Sequence, residues 1–183
     1  MPGSVIIVTG PPGAGKSTTA AALAAGLARS VHLHTDDFWA YIVSGGVAPY
    51  LPEADAQNRT VVEATAGTAF AYAGGGFDVV VDGVVGPWML DHYLRAAMSR
   101  PDTDLHYVVL RPGRQEALAR AQGRMAPEAL VDEGPILSMW DQFADLGDLE
   151  THVIDTTAHT PAGTLSAVTA AVRGGRFRLR TGG

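Results

Sequence analysis

Residues 10–17 read Gly10-Pro11-Pro12-Gly13-Ala14-Gly15-Lys16-Ser17, with Thr18 next, and fit the pattern Gly-x-x-x-x-Gly-Lys-[Ser/Thr]. That spacing serves the holding of a polyphosphate. Glycines let backbone N–H groups close around phosphate oxygens, and a helix that starts at the loop adds positive potential. The lysine reaches the terminal phosphates, and the serine hydroxyl is placed to ligate Mg²⁺. The lysine has further weight, because 12 of the 13 basic residues are arginine and Lys16 is the one exception. A compact ammonium fits inside a loop wrapped around phosphates where a planar guanidinium does not. Residues 10–18 are therefore the expected nucleotide-binding set, with ATP and Mg²⁺ as the expected ligands.

Three acids stand where strands are expected to end: Asp36, Asp37 and Asp82. In a parallel sheet that edge also carries the phosphate loop, so all three are candidates to face the phosphates. Asp82 is expected to hold a water on Mg²⁺, which with Ser17 makes the metal pair, or to orient an acceptor. Of the adjacent Asp36 and Asp37, one is expected to cap the next helix and the other to work on the acceptor. A hydroxyl attacking phosphorus must lose a proton, and a carboxylate within about 2.6–3.2 Å can take it. Arg114, Arg120 and Arg124 follow the fourth expected strand, and the last two share a helix face. They are expected to clamp ATP phosphates from a lid at about 112–135; Glu116 pairing with Arg120 on a solvated helix is the competing expectation.

The elements that must position these groups follow from periodicity. Apolar or β-branched runs at Val5–Thr9, Val31–Thr35, Phe77–Asp82, Leu105–Arg111 and Thr151–Asp155 predict five strands. Helical patterns lie at 15–29, 53–72, 89–99, 115–124, 136–146 and 161–172. Strands alternating with helices mean βαβ units and a parallel sheet. The 183 residues suit one domain, 46% hydrophobic with a mean hydropathy of +0.10, and no repeat or linker divides it.

Composition narrows the function. A formal net charge of −6 argues against a general binder of nucleic acid or of anionic membranes. The absence of cysteine excludes thiol catalysis and zinc-thiolate sites. With no signal peptide and no apolar span, a cytoplasmic protein is expected. GTPases that read guanine through Asn/Thr-Lys-x-Asp need a second lysine. Motor and transport ATPases usually carry Asp-Glu where this chain has Asp82-Gly83. Transfer to a bound acceptor is favoured over hydrolysis.

At this point the chain resembles the P-loop small-molecule kinases that include gluconate kinase-like proteins and chloramphenicol phosphotransferase-like antibiotic kinases. The resemblance rests on 10–17, on Thr35-Asp36-Asp37-Phe38, on VVVDG at 79–83, on the arginines 114, 120 and 124, and on Asp155-Thr156-Thr157 before Pro161. It implies a P-loop NTPase fold of three α/β/α layers with a five-stranded parallel sheet, ATP with Mg²⁺, and a base after the second strand. The base it implies is Asp37, directly before Phe38-Trp39, which leaves Asp36 as the cap.

In this group the acceptor sits over the segment at about 36–76, whose one cation here is Arg59. Nucleotide kinases need several arginines there, so an acceptor bearing phosphates is disfavoured. Arg59 either meets the acceptor or pairs with Glu63. Nine of 13 aromatic residues lie between positions 38 and 93. Trp39 and Trp88 are the two expected to face a ligand, and an antibiotic or nucleoside-like acceptor is preferred over a sugar acid. His32 and His34 are read as ordinary strand packing. The arginines at 173, 176, 178 and 180 are read as an edge strand or solvated tail. The partner is thus a small hydroxyl-bearing molecule, for a monomer or homodimer. The rival from another class is an ATP-binding sensor without transfer.

Overall fold

The computed structural model describes residues 1–123 and 130–179. Its strands are β1 (Val5–Thr9), β2 (Ser30–His34), β3 (Asp78–Asp82), β4 (Leu105–Leu110) and β5 (Val153–Ile154). Its helices are α1 (Lys16–Ala25), α2 (Thr35–Ala40), α3 (Asp55–Gly74), α4 (Pro87–Met98), α5 (Arg114–Gln122), α6 (Glu133–Asp141) and α7 (Pro161–Arg173). The strands form one parallel sheet in the order β2-β3-β1-β4-β5.

The near-continuous apolar runs are explained by burial on both faces. All five residues of β1 and all six of β4 are buried. Alternation then sorts them. Val5, Ile7, Val79, Val81, Tyr107 and Val109 pack under α3 and α4, against Ala66, Phe70, Leu90 and Tyr93. Ile6, Val8, Val80, Val108 and Leu110 pack on the other face under α1 and α7, against Leu23, Val168 and Phe177. Each fully buried valine or isoleucine contributes about 1.5–3 kcal/mol relative to exposure. The three-layer α/β/α architecture is the one expected. No helix among the described residues is long and apolar enough to cross a membrane.

Several elements differ from expectation: α1 ends at Ala25 rather than at 29, and α6 spans Glu133–Asp141 rather than 136–146. Two further differences have a visible physical cause or bear on the site. The fifth strand is two residues rather than five, because the outer edge of β4 is already occupied lower down. There the backbone N–H of Tyr107 donates to Phe177 O at 2.9 Å, and Leu179 N–H donates to Leu105 O at 2.8 Å. His152 Nδ1 donates to Tyr107 O at 2.9 Å, which leaves β5 only Val109 and Leu110 as partners. The Arg-rich C-terminal segment is thus partly an edge strand: His106 bridges Arg178 in antiparallel fashion, and Phe177 is fully buried. The second difference is α2, a six-residue helix that starts at Thr35, where the second strand was expected to end.

Candidate functional site

The phosphate loop joins β1 to α1 at the C-terminal edge of the sheet. Gly13 has φ +80° and lies so close to α5 that a Cβ would sit 2.0 Å from Ala117 O, so glycine is required there on both counts. Gly15, at φ +84°, precedes α1, and no side chain caps that helix. The positive end of the α1 dipole therefore faces the loop with no side-chain cap upon it. Lys16 is buried and its Nζ donates to Pro11 O at 3.0 Å, which folds the ammonium back over the loop. Pro11, Pro12, Gly13 and Ala14 are buried; Gly15, Ser17 and Thr18 are exposed. The base of the loop is tied down by Thr9, whose Oγ1 donates to Val85 O at 3.1 Å and accepts from Val85 N–H at 2.8 Å.

The chain comes together at Asp82. Its register places it beside Val8 of β1 and His34 of β2, with no surface exposed. Ser17 Oγ donates to Asp82 Oδ1 at 3.2 Å. His32 Nε2 lies 3.2 Å from Asp82 Oδ2. His34 Nε2 lies 3.9 Å from the same oxygen, too far for a hydrogen bond. Ser17 and Asp82 offer hard oxygen donors, the chemistry that Mg²⁺ accepts.

His32 does more than the ordinary packing expected of both histidines, because it meets a buried carboxylate. Alternation puts His32 and His34 on one face of β2, and that face meets the carboxylate of the neighbouring strand. The signal was the His-x-His spacing; only the strand order gives it meaning.

Asp36 and Asp37 are both exposed and both fall in the first turn of α2, which His34 precedes. Asp36 is therefore not a cap, because α2 begins two residues earlier than that role requires. As first-turn carboxylates both complement the helix dipole. His34 lies between them, 3.6 Å from Asp37 Oδ1 and 3.9 Å from Asp36 Oδ2.

Arg120 makes the Glu116 pair of the competing expectation and also reaches the loop after β5. Its Nε donates to Glu116 Oε1 at 2.6 Å, and its Nη2 donates to the carbonyls of Thr156 and Thr157 at 3.2 and 3.0 Å. It fastens α5 to the loop after β5. In that loop Thr157 Oγ1 accepts from Gly113 N–H at 2.8 Å, and Asp155 Oδ1 accepts from Thr157 N–H at 2.9 Å. The Thr157 hydroxyl and amide hold the Asp155 carboxyl below the usual carboxylate range. Arg114 pairs with Asp141 at 2.9 Å, from α5 to α6. Arg124, the remaining expected clamp, lies outside the described residues.

Around the acceptor segment, Arg59 pairs with Asp55 at 3.0 Å rather than with Glu63, an exposed i, i+4 pair on α3. Trp39 is half-buried against the core, and its Nε1 donates to Asn58 Oδ1 at 2.8 Å, so its indole fastens α2 to α3. Trp88 is 51% exposed at the start of α4, edge-on to Phe143. Tyr41, its ring tilted against Phe38, and Tyr50 are exposed in the loop after α2; the sequence does not single them out. A cleft of about 420 Å³ opens at the opposite edge of the sheet, beside Ser4, Asp78, Asp104 and His106, away from the phosphate loop.

A family model of the AAA domain, AAA_33, matches residues 5–146. No curated protein matches the chain. Among solved structures, a gluconokinase from Sinorhizobium meliloti 1021 is 21% identical, covers 94% of this chain and 92% of its own, and has a TM-score of 0.66. A tunicamycin resistance protein from Deinococcus radiodurans is 18% identical, with 93% and 95% covered and a TM-score of 0.65. A sugar kinase from Janibacter sp. HTCC2649 is 18% identical, with 94% and 95% covered and a TM-score of 0.66. At these identities the likeness is one of fold.

Proposed function

This chain belongs to the AAA_33 family of AAA domains, and from that premise we propose that it moves the γ-phosphoryl group of ATP to a hydroxyl of a small molecule. The observation that carries this reading is Ser17 Oγ, in the first turn of α1, donating to the buried Asp82 at 3.2 Å. Lys16 and the loop amides take the β- and γ-phosphates. Ser17 and Asp82 would hold Mg²⁺ with their hard oxygens. Bound there, the metal would offset the charge of the phosphates. The acceptor proton passes to Asp37 as the new O–P bond forms and the bond to the β,γ-bridging oxygen breaks, releasing ADP.

An acceptor of antibiotic or nucleoside type is supported by the residues over 36–76. The one cation there, Arg59, is paired with Asp55, while Tyr41 and Tyr50 present aromatic surface. A sugar acid needs a cation that this segment holds in an ion pair. The gluconokinase and sugar kinase likenesses keep that acceptor as the second reading. The test is a screen of ATP consumption against nucleosides, sugars and antibiotics, with mass spectrometry of the products. Gain of one phosphoryl group by one acceptor class is the expected result. ATP loss that no acceptor accelerates points to the sensor instead.

A further inference from the structure

We propose that His32 is a positioning residue for metal binding, acting through Asp82; this rests on the phosphotransfer reading above. Asp82 uses both oxygens. Oδ1 accepts from Ser17, and Oδ2 faces His32 Nε2 at 3.2 Å. An ionised carboxylate only accepts, so the hydrogen of this bond lies on Nε2. The terminal torsion of an aspartate is broad and roughly two-fold. With Ser17 alone the carboxylate plane is free to turn about one hydrogen bond. A second donor on the other oxygen fixes the plane.

The local sequence is unusual for mere packing. Val31 and Leu33 turn their side chains to the apolar core under α3 and α4. The other face of β2 carries His32 and His34, and the His32 side chain keeps 29% of its surface exposed while Asp82 keeps 1%. His34 stands directly opposite Asp82 in the register, yet the diagonal His32 is the one within hydrogen-bond distance. His32 leans along the strand to reach it. Its Nε2 supplies the polar partner that a buried carboxylate requires.

The experiment measures binding of a non-hydrolysable ATP analogue by calorimetry, with and without Mg²⁺, in wild type, His32→Ala and His32→Gln. Glutamine places an N–H donor close to the position of Nε2. Partners of this kind are worth about 10–100-fold in metal affinity. The expected result is unchanged metal-free binding in all three proteins. Mg²⁺ enhancement falls at least about 10-fold in His32→Ala and returns to within about 3-fold in His32→Gln. Full enhancement in His32→Ala overturns the proposal, and so does equal loss in both variants when their melting temperatures match wild type. If wild type shows no Mg²⁺ enhancement, the phosphotransfer reading falls as well, which separates the two failures.

Discussion

Ser17 and Asp82 lie 65 residues apart in sequence, and the serine hydroxyl donates to the carboxylate across 3.2 Å. The pair exists because β3 runs directly beside β1, with Asp82 level with Val8 one residue before the strand gives way to the phosphate loop. Neither residue alone defines a metal site. Together they set two hard oxygen donors side by side at the start of α1, the kind of helix end that favours phosphates.

Asp82→Asn keeps the shape of the buried side chain and removes its charge. Turnover should fall by about 10²-fold or more, the rate equivalent of losing several kcal/mol of metal stabilisation. Nucleotide binding without Mg²⁺ should be retained. Turnover against Mg²⁺ concentration is the check. An unchanged Mg²⁺ dependence removes Asp82 from the metal site.

Arg120 holds Glu116 and two backbone carbonyls of the loop after β5. Arg120→Ala should cost about 1–2 kcal/mol, the range for charge-assisted hydrogen bonds at a partly exposed site. In a chain of this size that lowers the melting temperature by about 2–8 °C. KM for ATP should rise more than kcat falls. An unchanged melting temperature with a collapse of kcat would restore Arg120 as a phosphate clamp.

The base is tested by Asp37→Asn against Asp36→Asn, with ATP binding measured separately. Asp37→Asn should bind ATP normally and lose transfer by about 10²-fold or more. Because Asp36 caps nothing and is exposed, Asp36→Asn should leave stability nearly unchanged and transfer largely intact. The reverse pattern moves the base to Asp36.

Much of this was legible in the sequence and some was not. β1 was legible residue for residue, because four consecutive β-branched apolar residues and a threonine before a glycine loop have one reading in a βαβ chain. The fifth strand was overextended, because its length is set by competition with residues 177–179 for the edge of β4, which is a long-range fact. Arg59 has acids at both i−4 and i+4, and spacing alone does not choose between them. His32 was read as packing because its partner is on a neighbouring strand, and strand order does not show in periodicity.

Acid should loosen the segment around Glu150. Hydrogen bonds from the Arg111 guanidinium and the Leu146 N–H hold its carboxyl below the ordinary value of 4.5. The folded carboxylate thus binds a proton less readily than the unfolded one. Its contribution is present above about pH 4.5 and is lost as pH falls through the lower folded value. Thermal melts of wild type between about pH 6 and 3 should show falling stability, and Glu150→Gln should flatten that slope. Parallel slopes would mean that this ion pair adds nothing to acid sensitivity.

The central claim is transfer to a bound hydroxyl rather than to water, and γ-labelled ATP tests it most directly. Wild type is incubated with Mg²⁺, labelled ATP and the acceptor found by the screen, beside Lys16→Ala. The label should appear on the acceptor in step with ADP, with little free phosphate. Lys16→Ala, which loses the cation at the terminal phosphates, should transfer at least about 10²-fold more slowly while remaining folded. Label released only as inorganic phosphate at an acceptor-independent rate, or wild-type transfer in Lys16→Ala, would contradict the account.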